Sequence, residues 1–241
     1  KGRLYGTAHV DIQDPDSAPR ELERGIRELG LLAVALPTSA QDVALDAKAL
    51  GPIWRKISEL DVPIILHPAL LPKNASTDYS LERSCFRPFD TTLAAVRIMC
   101  GVFPEFPRLK FVLPHLGGAS VFLRGRIAMF FEPVGWQGTS KQKGLAKTAS
   151  EQREAGLKEI FDELWGKFYF DTAGTGAWRP AVQWTAEEVT PARILFGSDY
   201  PLESHSGETV RELVEMIAGL RLSRDELQAI AGKNAEHLFR L

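Results

Sequence analysis

The chain has 241 residues, 44% hydrophobic and 25% charged, with a formal net charge of −2. This near-neutral balance carries no electrostatic footprint for nucleic acid or an anionic membrane, and no apolar run reaches the roughly 18 residues of a membrane span. The two cysteines, Cys85 and Cys100, build no disulfide framework in a chain this long, and with no signal peptide recognisable the expected setting is reducing and cytoplasmic.

Short apolar runs then alternate with helix-like segments. Residues 3–10 (RLYGTAHV) read as a strand and 19–30 (PRELERGIRELG) as an amphipathic helix ending on Gly30, a good residue to follow a helix. A second strand is expected at 31–38 (LLAVALPT), a helix at 46–61, and directly after it a third strand at 63–68 (PIILHP). Cys100 lies in an apolar helical context that predicts burial. Strands four to six are expected at 109–116 (LKFVLPHL), 167–174 (KFYFDTAG) and 193–200 (RILFGSDY). Helices at 207–220 and 223–241 close the chain, the last opened by Ser223 and Glu226 at capping-box spacing. One segment breaks the rhythm: 135–164 is polar and Lys-rich before it becomes helical, and is expected to be a solvated insertion or a lid.

The strands are continuously apolar at their centres, as parallel strands covered on both faces are. Strands alternating with helices imply βαβ units. No strand is followed by a Gly-rich dinucleotide fingerprint, since Gly117-Gly118 lacks the spacing. The polar residues collect instead at strand C-termini, at His67, His115, Asp171 and Asp199, which is where a (β/α)8 barrel carries its catalytic groups. The expected fold is therefore an α/β TIM barrel, forming one domain over 1–241.

Taken singly, each of these residues has a structural reading. His67 is equally a hydrogen-bonded histidine, Asp199 a turn residue, and Asp171 reads as the cap or orienting group of its own loop. His115 is more suggestive, because the glycines after it let backbone come close. Together, two imidazoles and a carboxylate on different strands converge on one mouth, and these donors suit zinc and other first-row divalent metals. Arg87, in CFRPFDTT (85–92), suits bidentate pairing with a substrate carboxylate, its structural alternative being a surface arginine at a helix start. Phe86 and Trp178 are candidate apolar walls for a ring.

The motifs PIILHPA (63–69), FPRLKFVLPHLGGA (106–119), FYFDTAG (168–174) and ILFGSDYP (194–201), in this order and spacing, resemble the metal-dependent amidohydrolase superfamily. Within it they are most similar to the amidohydrolase-related branch that contains aminocarboxymuconate semialdehyde and gamma-resorcylate decarboxylases. QDPDSAPRELERGIRELG (13–30) and GKNAEHLFRL (232–241) also fit. The resemblance makes His67 a metal ligand, His115 a base or substrate orienter beside the metal, and Asp199 a metal ligand that also handles a proton. It implies one divalent metal, zinc first and manganese second, and a homodimer.

The same resemblance numbers the six strands as the third to the eighth. The first two strands, with a His-x-His pair that completes the metal site, are then expected upstream of Lys1, or else the chain is a degenerate member. His9-Val10-Asp11 reads as a strand residue and a turn acid rather than that pair. His205 is expected beside the mouth and His237 as a packing residue. The leading expectation is a metal-dependent decarboxylase acting on an aromatic or unsaturated carboxylic acid. A metal-dependent hydrolase of a lactone, ester or amide is the alternative, and a metal-free barrel acting as a binding protein is the second.

Overall fold

The computed structural model describes residues 4–40, 43–69, 80–131 and 157–241. Six strands form one sheet in chain order: β1 (Thr7–His9), β2 (Ala33–Pro37), β3 (Ile64–His67), β4 (Phe111–Leu113), β5 (Tyr169–Asp171) and β6 (Ile194–Leu195). Every neighbouring pair is parallel. All six expected strands are present, each shorter than predicted, because their proline, glycine and polar ends leave the ladder and become site loops. Sequential parallel pairing with helical crossovers is the βα-barrel pattern. Among the described residues β1 and β6 are the outer strands of this sheet.

The helices are α1 (Ala18–Glu23), α2 (Gly51–Leu60), α3 (Arg83–Arg97), α4 (Arg124–Phe131), α5 (Leu157–Trp165), α6 (Arg179–Val189), α7 (Gly207–Ala218), α8 (Arg224–Gln228) and α9 (Asn234–Phe239). A π turn, Arg24–Glu28, continues α1, and Gly30 then turns the chain at φ +69. The Ser223–Glu226 capping box opens α8 as expected, and a second box, Ser206–Thr209, opens α7. The expectation of an insertion or lid at 135–164 falls outside the described residues up to 156. From Leu157 the chain is helical, and α5 turns Phe161 and Trp165 into the core.

Strand alternation sends neighbouring residues to opposite faces. Ile64, Leu66, Phe111, Leu113, Phe168, Phe170 and Ile194 join the helices in the main core. Phe103, Phe111, Phe168 and Phe170 are at most 1% exposed, and each such side chain contributes about 1.5–3 kcal/mol by leaving water. On the other face Val112 and Leu195 pack with Ile65, Tyr169 and the Leu238 and Phe239 side chains of α9. Both faces are covered, which is why the strands read as unbroken apolar runs. His237 is exposed, against the expectation of packing, because Ala235, Leu238 and Phe239 form the buried stripe of that helix. Cys100 is half-buried against the core, and burial pushes its thiol up to about 11.

Candidate metal and active site

His67 is the last residue of β3, and its carbonyl accepts the Thr38 N–H at 2.9 Å, which locks the strand end to its neighbour. The loop beyond is held by Asp90, a carboxylate 3% exposed on α3. It accepts hydrogen bonds from the Thr38 hydroxyl, from Ser39 Oγ at 3.1 Å and from the Ala69 N–H at 3.3 Å. Asp90 was not singled out by the sequence reasoning. The available signal was a carboxylate followed by Thr91 and Thr92 inside an otherwise amphipathic helix, where a buried charge needs several partners.

His115 follows β4 in a chain reversal with four successive positive φ angles, 55, 55, 75 and 65 at His115, Leu116, Gly117 and Gly118. The two non-glycine residues there store on the order of 1 kcal/mol of backbone strain each. The Asp171 Oδ1 atom offsets it, accepting the His115 N–H at 2.9 Å and the Ala173 N–H at 3.1 Å. Asp171 thus orients its own loop, as one reading of the sequence had it, and aims His115 as well. Two glycines are required by the close fit. A Cβ on Gly118 would lie 2.3 Å from the Pro88 carbonyl oxygen, and one on Gly174 would lie 2.6 Å from the His115 ring.

Asp199 follows β6 at φ 49, a left-handed position in a tight turn where its carbonyl accepts the Leu202 N–H at 2.7 Å and the Glu203 N–H at 3.1 Å. The turn is pinned to β5 through Thr172, whose hydroxyl contacts both the N–H and the carbonyl of Gly197, at 3.0 and 3.1 Å. These constraints bring the three expected residues together. One ligand-type atom from each of His67, His115 and Asp199 lies within 4.8 Å of the others. The two imidazole rings meet edge-on, 5.8 Å apart and inclined at 79°. Two imidazoles and a carboxylate are a suitable three-ligand set for a divalent metal with open positions left for water or substrate.

Burial holds the His115 imidazole below its ordinary value; Asp199 pulls the other way, and the charges of His67 and Arg87 add to the depression. His115 is therefore neutral at neutral pH, able to ligate or to accept a proton. Burial pushes the Asp171 carboxyl up to about 6, against the two backbone donors that stabilise its ionised form. Glu203 is raised as well, first by burial and then by the nearby Asp199 charge.

Beside the cluster opens a cavity of about 380 Å³, with His115 shared between the two. Arg87 and Trp178 line it as expected, joined by Phe122, Trp184 and Glu203. Phe86 does not: successive helix residues point about 100° apart, so the turn of α3 that presents Arg87 and Ser84 to the cavity aims Phe86 elsewhere. Its place is taken by Phe122 and Trp184, whose rings stack edge-on at 5.8 Å. His205 is exposed on the loop of Glu203, with Nδ1 3.2 Å from the Glu203 carbonyl. His9 is an exposed strand end on β1, away from the cluster as expected.

Known proteins share this arrangement of chain. A gamma-resorcylate decarboxylase of Polaromonas sp. is 27% identical over 252 residues, covering 99% of this chain and 71% of that one. The solved 5-carboxyvanillate decarboxylase of Sphingomonas paucimobilis superposes with a TM-score of 0.77 at 25% identity, over 99% of this chain and 67% of that chain. A dihydroxybenzoic acid decarboxylase of Polaromonas sp. JS666, solved with manganese and 2-nitroresorcinol, superposes with a TM-score of 0.75 at 25% identity, covering 99% and 70%. The family description that matches residues 1–241 is that of the amidohydrolases. Parallel βα order, polar strand ends and a match over the whole chain agree, and the protein belongs to the amidohydrolase family.

Proposed function

We propose that the protein is a metal-dependent decarboxylase of aromatic carboxylic acids. The observation that carries this reading is the convergence of His67, His115 and Asp199 within 4.8 Å at the edge of a cavity that also presents Arg87. The gamma-resorcylate and 5-carboxyvanillate decarboxylases among its relatives support it. His67 and Asp199, with His115 beside them, would hold a divalent ion, which would supply Lewis-acid polarisation of the substrate oxygens. Zinc and manganese both suit these donors.

The chain's own residues do the rest. Arg87 draws the substrate carboxylate into the cavity with a forked pair of donors. Trp178, Trp184 and Phe122 wall the ring. His115, neutral and free to take up a proton from solvent, passes it, directly or through Asp199, to the ring carbon that bears the carboxylate. The carbon–carbon bond then breaks, its electron pair returns to the ring, and CO₂ leaves. Asp171 keeps the His115 backbone in register throughout.

Reaction with hydroxylated benzoic acids tests this directly. Release of CO₂ that stops on chelation and returns with added manganese or zinc is the expected result. Incorporation of solvent oxygen into a lactone, ester or amide product, with no CO₂ from any acid, would replace the decarboxylase by a hydrolase. Elemental analysis of the active protein identifies the metal.

A further inference from the structure

Arg87 and Glu203 enter the same cavity from different elements, α3 and the loop after β6. Opposite charges that share a cavity normally pair. These do not: among the described residues the Arg87 guanidinium makes no hydrogen bond or ion pair with any side chain. Each charge nevertheless acts on the other, and Arg87 also acts on His115, so all three lie in one electrostatic neighbourhood. The Glu203 carboxylate is met on its protein side by the Gly174 N–H, the glycine that cradles the His115 ring. Its remaining acceptor capacity is open to the cavity.

An unspent forked donor and an open acceptor in one cavity with aromatic walls define a ligand with matching ends. We propose that Glu203 is a specificity-determining residue, accepting a hydrogen bond from a hydroxyl or amino group on the ring while Arg87 holds the reacting carboxylate. This rests on the decarboxylase reading of the same cavity. A carboxylate only accepts, so it cannot bond a methoxy group. A second substrate carboxylate at that end would meet the like charge of the Glu203 carboxylate. The favoured substrate is therefore a monocarboxylic aromatic acid with a hydrogen-bond donor, and dicarboxylic acids are turned away.

The test compares matched ligands by calorimetry on the metal-loaded protein: 2-, 3- and 4-hydroxybenzoate, each against its methoxy counterpart, and isophthalate. The wild type is expected to prefer the hydroxy member of at least one pair by about tenfold, the worth of one hydrogen bond to a charged group. Glu203→Leu is expected to bring that preference below about threefold, and Glu203→Gln to tighten isophthalate by about fivefold, at unchanged melting temperature. Preference that survives in Glu203→Leu, or isophthalate binding that is the same in Glu203→Gln and wild type, would overturn the proposal. Absence of measurable binding by every benzoate would overturn it too. Preference is read without turnover, so failure to release CO₂ counts against the decarboxylase alone.

Discussion

The two ends of the sheet use the same residue types for opposite purposes. At the N-terminal end, charges are matched. Asp61 accepts from Lys110 Nζ at 2.9 Å and also from Arg240, and these donors, Lys110 first, hold its carboxyl below the usual range. Arg193 lies over the Tyr169 ring at 4.6 Å, and the Asn234 side chain donates to the carbonyls of Pro191 and Ile194 at 2.8 and 2.7 Å. At the C-terminal end His67, His115 and Asp199 crowd together in a backbone with several left-handed residues, and Arg87 and Glu203 face a cavity without pairing. Matched charges close a surface. Charges kept apart by a stiff scaffold leave their interactions to a ligand, and the scaffold bears the strain.

The sharpest way to break this contrast is Asp199→Asn, which in the proposed mechanism would remove a ligand charge and a proton carrier together. Steady-state CO₂ release should fall by about 10³-fold or more. A fall of less than tenfold would place the chemistry elsewhere. Next comes Gly174→Ala, whose methyl must displace the His115 ring and whose residue must hold φ +71. A misplaced ring predicts a loss of about 10–100-fold in kcat, with stability lowered by about 1–2 kcal/mol in chemical denaturation. Asp90→Ala leaves buried donors without an acceptor. It should cost about 2–3 kcal/mol of stability and weaken manganese binding at His67 about tenfold, read by titration of the chelated protein.

Asp171 sharpens the comparison through pH. Its folded-state carboxyl titrates at about 6, above the ordinary 3.8, so between those values the native chain holds a proton that the unfolded chain has released. Its contribution is fully present below 3.8 and is lost as pH rises toward 6. Asp171→Asn keeps an acceptor for the His115 and Ala173 amides without that ionisation. Denaturation of metal-free protein should show the variant gaining on wild type across this window and levelling off above it. The smallest effect is expected at the other end of the sheet. Arg240→Ala removes an exposed partner of Asp61 and should change stability by less than about 1 kcal/mol, with CO₂ release unchanged.

Much of this was legible before any coordinates. Six apolar runs with polar C-terminal ends marked six parallel strands, because a strand buried on both faces cannot alternate and because its ends are where the chain regains solvent. ILFGSDYP stopped on Asp199 for the same reason. The capping box at Ser223 was legible because it is local, made within three residues. Arg87 and Trp178 line the cavity and Phe86 does not, since adjacency in sequence is divergence on a helix. Asp90 and Glu203 escaped notice because what surrounds them lies far along the chain: Thr38 and Ser39 bond the first, and the second shares its cavity with Gly174 and Arg87.

The sequence by itself determined the parallel βα order, the family and the identity of the converging donors, since these follow from hydrophobic period and from residue type at strand ends. Only the tertiary structure decided that His67, His115 and Asp199 come within ligand distance, that Gly174 makes room for an imidazole, and that Arg87 and Glu203 share a cavity without meeting. Distances between strand ends depend on register, twist and the packing of every intervening helix. Those are properties of the whole assembled chain, and no local pattern carries them.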